Sequence, residues 1–417
     1  MIQLIKGFKD VLPGEIEVWQ TIERVAKETF EDFGFTEIRL PIVEKAELFA
    51  RSIGDTTDIV EKEMYTFEDG KRGNVTLRPE ATASVVRSYI QHKMYASDPI
   101  RKFYTIGPMF RRERPQKGRY RQFYQIDAEV FGIDSPYLDA QLIFMLATLL
   151  SKLDAKDVKA HINSLGCPCC RPNFQKALKE LLDAKKEHLC ENCLRRAEKN
   201  PLRVLDCKVP SCREAVEGAP SILDHLCDEC EDHFETVKRV LTENGVEYEV
   251  DKRLVRGLDY YTRTAFEVLT TSLGAQNAVA GGGRYDGLVK ALGGPEVPAI
   301  GFAIGFDRLA EIVAMQQKIE AEGPDLYIAP LGEKATEQAA HWTMQLAASG
   351  IACETDFGGR SLKNHMKRAD KLNASQVLMI GDNELETGKA TLRNMATKEQ
   401  VEIELANLVE TLKNKLG

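Results

Sequence analysis

Several things are scarce in this chain of 417 residues, and each scarcity narrows what it can be. Long apolar runs are missing: the most apolar stretch, Leu142–Leu150, is about half of the ~20 residues a spanning helix needs. The apolar stretch in Met1–Gly7 is too short for a secretion signal. The expectation is therefore a cytoplasmic protein with no membrane partner. A surplus of positive charge is missing too: 56 Lys and Arg against 64 Asp and Glu leave −8. That balance argues against a protein that coats nucleic acid or membrane with its whole surface, although a local basic site is not excluded. Repeats and low-complexity tracts are absent. A composition of 43% apolar and 29% charged residues excludes a disordered or collagen-like chain. Cysteine is nearly absent outside one stretch: nine of ten lie between Cys167 and Cys230, and only Cys353 lies elsewhere. In a reducing compartment such a cluster points to metal more than to disulfides.

What is present reads as an α/β (α+β) protein of several domains, two to four at roughly 150 residues each. Glu15–Phe33 repeats apolar residues at helical spacing and closes at Gly34. Phe35–Val43 has a strand pattern broken by Pro41, which cannot donate to a ladder, so this strand is expected at an edge or an interface. Phe103–Ile106 and Gln122–Val130 alternate like the two arms of an antiparallel hairpin with a long basic connection, and Leu138–Leu153 reads as a helix. Between about 167 and 245 strand signals vanish among short helical segments such as Phe174–Leu182, which suggests an inserted helical module. Strand patterns return at Tyr248–Val255 and Ala265–Thr270, and Gly301–Val313 reads as a short strand entering a helix. After the polar linker Gln316–Pro324, a β-α-β-α-β order from Asp325 to Ile380 forms a separate α/β domain. The boundaries expected are 1–166 and 246–320 for a divided first domain, 167–245 for the insertion and 321–417 for the last domain.

Residues 101–122 hold eight Lys or Arg against Glu113 alone, +7 in 22 residues. A guanidinium fork suits phosphate, and the interleaved Phe103, Tyr104, Phe110, Tyr120, Phe123 and Tyr124 suit bases that stack. A solvated hairpin tip is the plain alternative. The run Phe110-Arg111-Arg112-Glu113-Arg114-Pro115-Gln116-Lys117-Gly118-Arg119-Tyr120-Arg121-Gln122 resembles the second signature motif of class II aminoacyl-tRNA synthetases, in the version of the histidyl-tRNA synthetase family. Gly34–Glu44 resembles the first motif, which builds the family's dimer interface. Gly301–Leu309 resembles the third, with Asp307 where a glutamate is usual. Two blocks peculiar to the histidine enzymes, Arg256–Tyr261 and Gly282–Gly287, are also present in the same order.

The resemblance implies an antiparallel-sheet class II catalytic domain and a C-terminal anticodon-binding domain, working as a homodimer on ATP, L-histidine and tRNA(His). It places Arg111 and Arg256 at the α-phosphate, Arg308 at the γ-phosphate and Glu113 at the adenine edge, with Mg²⁺ bridging the phosphates. For Arg256 the bland alternative is a surface salt bridge. Histidine would be read by an acceptor, Glu129, and a donor, Tyr261, one for each imidazole nitrogen. Tyr260 and Tyr285 line the same pocket, and Glu80, Thr82 and Gln125 hold the ammonium. Glu80 also suits a helix start. Arg114 and Gln116 stand where the family reads the extra 5′ guanosine of histidine tRNA. Gly281–Gly283 is a poor match to a dinucleotide fingerprint, because Asp286 occupies the third glycine position. It reads either as backbone passing close to the bound histidine or as a tight turn.

The cysteines form four pairs: Cys167/Cys170, Cys190/Cys193, Cys207/Cys212 and Cys227/Cys230. Each pair can give two thiolates to a tetrahedral ion, so eight ligands match two structural Zn²⁺. Eight thiolates leave no open coordination position, so these zinc ions are not expected to be catalytic. Pairing in chain order, first with second and third with fourth, is the simplest arrangement, although the spacing does not settle connectivity. Cys169 is the spare, able to replace a neighbour, and His188, His225 and His233 read as solvated. The metal is expected to staple a module with little core of its own. Zinc is not general in the resembled family, whose insertion lies against the tRNA acceptor arm.

Residues 360–371 carry +4 through Arg360, Lys363, Lys367, Arg368 and Lys371 against Asp370, so the remainder outside both basic segments sums to −19. Positive charge is thus concentrated at the two expected tRNA contacts. Two alternatives stand beside the ligase. A regulatory relative serving ATP phosphoribosyltransferase would lack the last domain and have eroded ATP motifs. A zinc-containing nucleic-acid-binding protein would leave Arg256–Tyr261 unexplained.

Overall fold

Eleven strands among the described residues build the first of two units, residues 1–319. They are β1 (Thr36–Glu37), β2 (Val43–Lys45), β3 (Tyr65–Glu68), β4 (Asn74–Leu77), β5 (Arg101–Phe110), β6 (Gln122–Phe131), β7 (Val158–Ser164), β8 (Tyr248–Val250), β9 (Thr262–Thr270), β10 (Ala278–Arg284) and β11 (Ala299–Gly305). The computed structural model describes residues 1–54, 57–116, 118–256, 258, 260–272, 277–319 and 321–416. Lys117 of the basic loop, Gly257 and Asp259 of the Arg256–Tyr261 block, and Glu320 of the linker lie outside the described residues.

Eight strands form one sheet in the order β1-β5-β6-β11-β10-β9-β7-β8, antiparallel except for the parallel pairs at its two ends. The expected hairpin is present as β5 and β6, in register from Arg101↔Phe131 to Phe110↔Gln122. Alternation along β6 sorts its side chains by face. Ile126, Ala128 and Val130 enter the main core, while Gln125, Asp127 and Glu129 share the opposite face. That core is closed by the helices Ile16–Asp32, Pro136–Lys152, Asp228–Glu243 and Phe306–Gln316. Its aromatic contacts include Trp19 stacked on Phe306 at 4.3 Å and Phe30 on Tyr104 at 4.9 Å.

The segment Phe35–Val43 divides where Pro41 interrupts the ladder. β1 takes the edge of the large sheet, as a proline-limited strand should, and β2 joins a three-stranded sheet ordered β2-β4-β3. The strand expected over Tyr248–Val255 is shorter, ending at Val250. Gly281–Gly283 lies inside β10, which overturns the tight-turn alternative. Strand pairing explains the glycines: a Cβ on Gly282 would lie 2.2 Å from the Gly301 carbonyl oxygen, and one on Gly283 2.6 Å from that of Thr264.

Between β7 and β8 the described elements are helical. This module has more core than expected: Phe174, Leu178, Leu182, Val204 and Ile222 pack with the buried Cys193, Cys207 and Cys212. Its last helix, Asp228–Glu243, instead sends Phe234, Val237 and Leu241 into the main core.

The second unit, 320–417, holds β12 (Leu326–Leu331), β13 (Cys353–Thr355), β14 (Gln376–Gly381), β15 (Lys389–Asn394) and β16 (Gln400–Glu404) in the order β13-β12-β14-β15-β16. The β-α-β-α-β order is present, with β12 parallel to β13 and β14, and the β15–β16 hairpin follows it. The helix Leu362–Lys371 buries His365 and Ala369, while Lys363, Lys367, Arg368 and Lys371 are exposed. Arg360 pairs with Asp356 at 2.5 Å.

Candidate active site and cysteine clusters

A cleft of about 480 Å³ opens on the polar face of the large sheet, within the ~300–1,000 Å³ range of small-molecule sites. Glu80, Thr82, Arg111, Glu113, Gln125, Arg256, Tyr260, Tyr261, Tyr285 and Arg308 all line it, although they come from seven separate elements or connections. Arg111 leaves the end of β5, with its Nε donating to the Pro79 carbonyl at 2.9 Å and its guanidinium 5.2 Å from the Phe123 ring. Glu113 pairs with Arg119 at 2.6 Å and lies 3.9 Å from Arg111. Arg308, in the first turn of Phe306–Gln316, donates to the carbonyls of Gly118 (3.1 Å) and Ala278 (2.5 Å). Arg256 pairs with Glu267 and lies 5.5 Å from the Tyr261 ring. A Cβ on Gly281 would be 2.5 Å from both terminal nitrogens of Arg256, so this glycine lets the guanidinium lie on the strand. Asp307 accepts from the Tyr124 N–H at 2.8 Å and fixes the entry of its helix against β6.

Glu129 sits just behind the lining. Its Oε1 accepts from Thr82 at 2.5 Å, and its other oxygen accepts from the Tyr285 hydroxyl. Burial pushes its carboxyl up to about 8, against the lowering effect of those two donors. Gly301 is required here, since a Cβ would lie 1.7 Å from Glu129 Oε2. Glu80 takes the helix-start position foreseen for it. It lies in the cleft, and its carboxylate accepts from the Ala83 N–H at 3.0 Å at the start of the helix Thr82–Gln91.

Asp127 was missed in the sequence. It lines the cleft at 1% exposure, and neither carboxylate oxygen has a hydrogen-bond partner among the described residues. Burial first, then the neighbouring Glu129 and Glu80 charges, raise its pKa well above the usual carboxylate range. The signal was there: three polar residues at period two, Gln125, Asp127 and Glu129, alternating with Ile126, Ala128 and Val130. Arg119 and Glu267, which hold Glu113 and Arg256, carried no such pattern. Asp206 and Lys208 of the cysteine module also reach the lining. Arg114 and Gln116 are exposed on the loop and do not line the cleft.

The eight cysteines gather into two groups of four, each with all sulfurs within 4.8 Å of one another. The pairing is nested. Cys167 and Cys170 meet Cys227 and Cys230, while Cys190 and Cys193 meet Cys207 and Cys212. This corrects the chain-order arrangement, because the helix Asp228–Glu243 returns to the main core and carries the fourth pair back to the first. Sγ separations of 3.5, 3.6 and 3.9 Å in the basal group and 4.0 Å in the distal one fit the ~3.8 Å expected for four sulfurs about 2.3 Å from a zinc ion. Although burial opposes it, backbone N–H groups of Cys170 and Cys169 bring the Cys167 thiol down to about 6, into the thiolate range. Cys169 is exposed and belongs to neither group. His233 is not solvated: it is buried, with Nε2 2.8 Å from Asp139 Oδ2.

An antiparallel sheet that gathers four arginines and a set of buried carboxylates into one cleft has the form of an adenylate-forming ligase of the class II synthetase type. The family model described as histidyl-tRNA synthetase matches residues 7–309, and that of an anticodon binding domain matches residues 325–415. Similar curated proteins include a histidine–tRNA ligase of Desulforapulum autotrophicum, 65% identical over 97% of this chain and 96% of that one. Another, from Geobacter sulfurreducens, is 55% identical over 97% and 98%. The solved apo histidyl-tRNA synthetase of S. aureus superposes with a TM-score of 0.84 at 37% identity, covering 99% of this chain and all of that one. The chain belongs to the histidyl-tRNA synthetase family. None of its described helices is long and apolar enough to cross a membrane.

Proposed function

We infer that this chain is an ATP-dependent histidine–tRNA ligase: it activates L-histidine to histidyl-adenylate and transfers it to the 3′ end of tRNA(His). The observation that carries this reading is the convergence of Arg111, Arg256 and Arg308 on the cleft that Glu80, Asp127 and Gln125 also line. In the first step the histidine carboxylate attacks the α-phosphate and pyrophosphate leaves. Negative charge grows on the α-phosphate, and positioned cations stabilise it more than they stabilise the ground state. Arg111 and Arg256 take that role, and Arg308 takes the γ-phosphate. Their existing bonds to the Pro79, Gly118 and Ala278 carbonyls and to Glu267 hold the forks before substrate arrives. Glu113 reads the adenine edge, and Mg²⁺ enters with ATP.

The ammonium is assigned to Glu80, Thr82 and Gln125, whose Oε1 is buried without a partner among the described residues. The imidazole is assigned to Glu129 as acceptor and Tyr261 as donor, walled by Tyr260 and Tyr285. An amino acid lacking the ring N–H and lone pair would leave these groups buried and unpaired, a strong discrimination without editing. The exposed Arg114 and Gln116 face the tRNA 5′ end, and the exposed cations of Leu362–Lys371 face the anticodon arm. The exposed edge strand β1 and the exposed Ile42 and Val43 support a homodimer through this segment. The two cysteine groups would each hold one Zn²⁺, supplying cross-links and no catalysis. Free thiols on this scale suit the cytoplasm.

Nothing in the structure favours the regulatory alternative, since the arginines of the cleft and the anticodon-binding domain are both present. The deciding experiment is histidine-dependent exchange of labelled pyrophosphate into ATP. Exchange that requires histidine supports the ligase, and none from folded protein overturns it.

A further inference from the structure

The cysteine module joins the catalytic body at its base, and the joint is the group Cys167, Cys170, Cys227 and Cys230. Cys167 and Cys170 follow β7 directly, and Cys227 and Cys230 open the helix that returns to the main core. Two lines of contact lead from this joint to the tyrosines of the histidine pocket.

The first runs through Arg171, the residue after Cys170. Gly166, at φ +60°, passes so close that a Cβ there would lie 2.7 Å from Cys170 Cβ. Arg171 turns back over this corner, where Nε donates to the Leu165 carbonyl at 3.3 Å and Nη2 donates to the Tyr261 carbonyl. Beside Tyr261, Arg263 adopts a left-handed φ of +47°, an unfavourable conformation that its surroundings must hold. They do so through the Leu165 N–H to Arg263 carbonyl bond (2.6 Å), the Arg263 N–H to Gly166 carbonyl bond (3.0 Å), and ion pairs to Asp134 and Glu229. Glu229 lies between the ligand positions Cys227 and Cys230.

The second line starts one helical turn after Cys230. His233 bonds to Asp139, Asp139 takes the guanidinium of Arg284, and Arg284 directly precedes Tyr285. His233, Asp139, Arg284 and Tyr285 are all buried. By contrast, Arg195 and Arg196, beside the distal group, pair with Glu61 and Asp58.

We propose that the basal four-cysteine group, closed by its metal, positions Tyr261 and Tyr285 and thereby sets the affinity for histidine, a role the distal group does not share. The inference rests on the zinc assignment given above. A tetrathiolate ion cross-links segments about sixty residues apart in the chain, fixing the corner from which Arg171 reaches Tyr261 and the helix start that carries His233. Arg171 acts as a positioning residue, since its bond to Tyr261 is to the backbone carbonyl.

The test compares Arg171→Ala, Arg171→Lys, Cys227→Ser and Cys193→Ser with the parent protein in pyrophosphate exchange, with metal content measured on each. Arg171→Ala is expected to keep two ions per chain and raise KM for histidine about tenfold, the scale of losing the charge-assisted hydrogen bond to the Tyr261 carbonyl. Its kcat should stay within about twofold, and Arg171→Lys should recover part of the affinity. Cys227→Ser is expected to raise the histidine KM at least about fivefold more than Cys193→Ser does. Equal effects of the two cysteine variants, or an unchanged KM in Arg171→Ala, overturn the proposal. A parent protein purified without chelator that contains no metal overturns the zinc assignment itself, and is read separately from the Arg171 result.

Discussion

The Tyr285 hydroxyl donates to the Glu129 carboxylate, and each residue is only 1% exposed. A buried acceptor that loses its donor costs about 1–3 kcal/mol. Tyr285→Phe is therefore expected to raise KM for histidine by about tenfold or more, measured in pyrophosphate exchange, with a smaller change in KM for ATP.

Glu129 also gives the empty protein a pH signature. Its folded pKa, raised by burial to about 8, lies above the unfolded value. Its contribution to stability is thus fully present below the unfolded carboxylate pKa of about 4.3 and is lost as pH rises through about 8. The slope in that window is at most about 1.4 kcal/mol per pH unit. Glu129→Gln should flatten the fall in melting stability between these limits relative to the parent. Parallel stability curves for the two proteins would contradict the assignment.

Asp127 has no hydrogen-bond partner among the described residues, and burial first, then the neighbouring Glu129 and Glu80 charges, disfavour its ionised form in the empty site. Asp127→Asn is expected to raise the melting temperature while weakening histidine binding, because an acid of the cleft proposed to receive the ammonium is gone. Calorimetric melting paired with histidine titration reads both signs.

Gly281 lies under the Arg256 guanidinium, and a methyl group there would displace it from Glu267. Gly281→Ala should lower kcat for adenylate formation by about a hundredfold, the scale of removing one transition-state donor. Circular dichroism should remain that of the parent.

The Arg284–Asp139 pair is fully buried and shared with His233. Burial opposes ionisation of Asp139, yet the hydrogen bond from His233 and the Arg284 charge hold its pKa below the usual range. Its stabilisation is therefore present above the unfolded aspartate value and is lost as pH falls through the lower folded one. Arg284→Met leaves this buried carboxylate with His233 as its remaining partner and should cost about 3–5 kcal/mol in urea unfolding at neutral pH.

Much of the molecule could be read from the linear order of residues. Local alternation marked β5 and β6, and helical spacing and Gly34 marked the first helix, because these signals depend on neighbours a few positions apart; Arg111, Glu113, Arg256 and Arg308 were marked by the resemblance of their motifs to those of the histidyl-tRNA synthetase family. Cysteine spacing likewise defined four pairs. Which pairs meet was decided only by tertiary structure: the helix Asp228–Glu243 follows its apolar face into the main core and takes Cys227 and Cys230 to Cys167 and Cys170. The same packing turned His233 from a surface residue into a partner of Asp139. It placed Gly281–Gly283 within a strand, where Arg256 and neighbouring strands leave no room for a side chain. Sequence determined the chemistry each segment could offer, whereas the unpartnered burial of Asp127 and the nesting of the thiols depend on contacts between residues far apart in the chain.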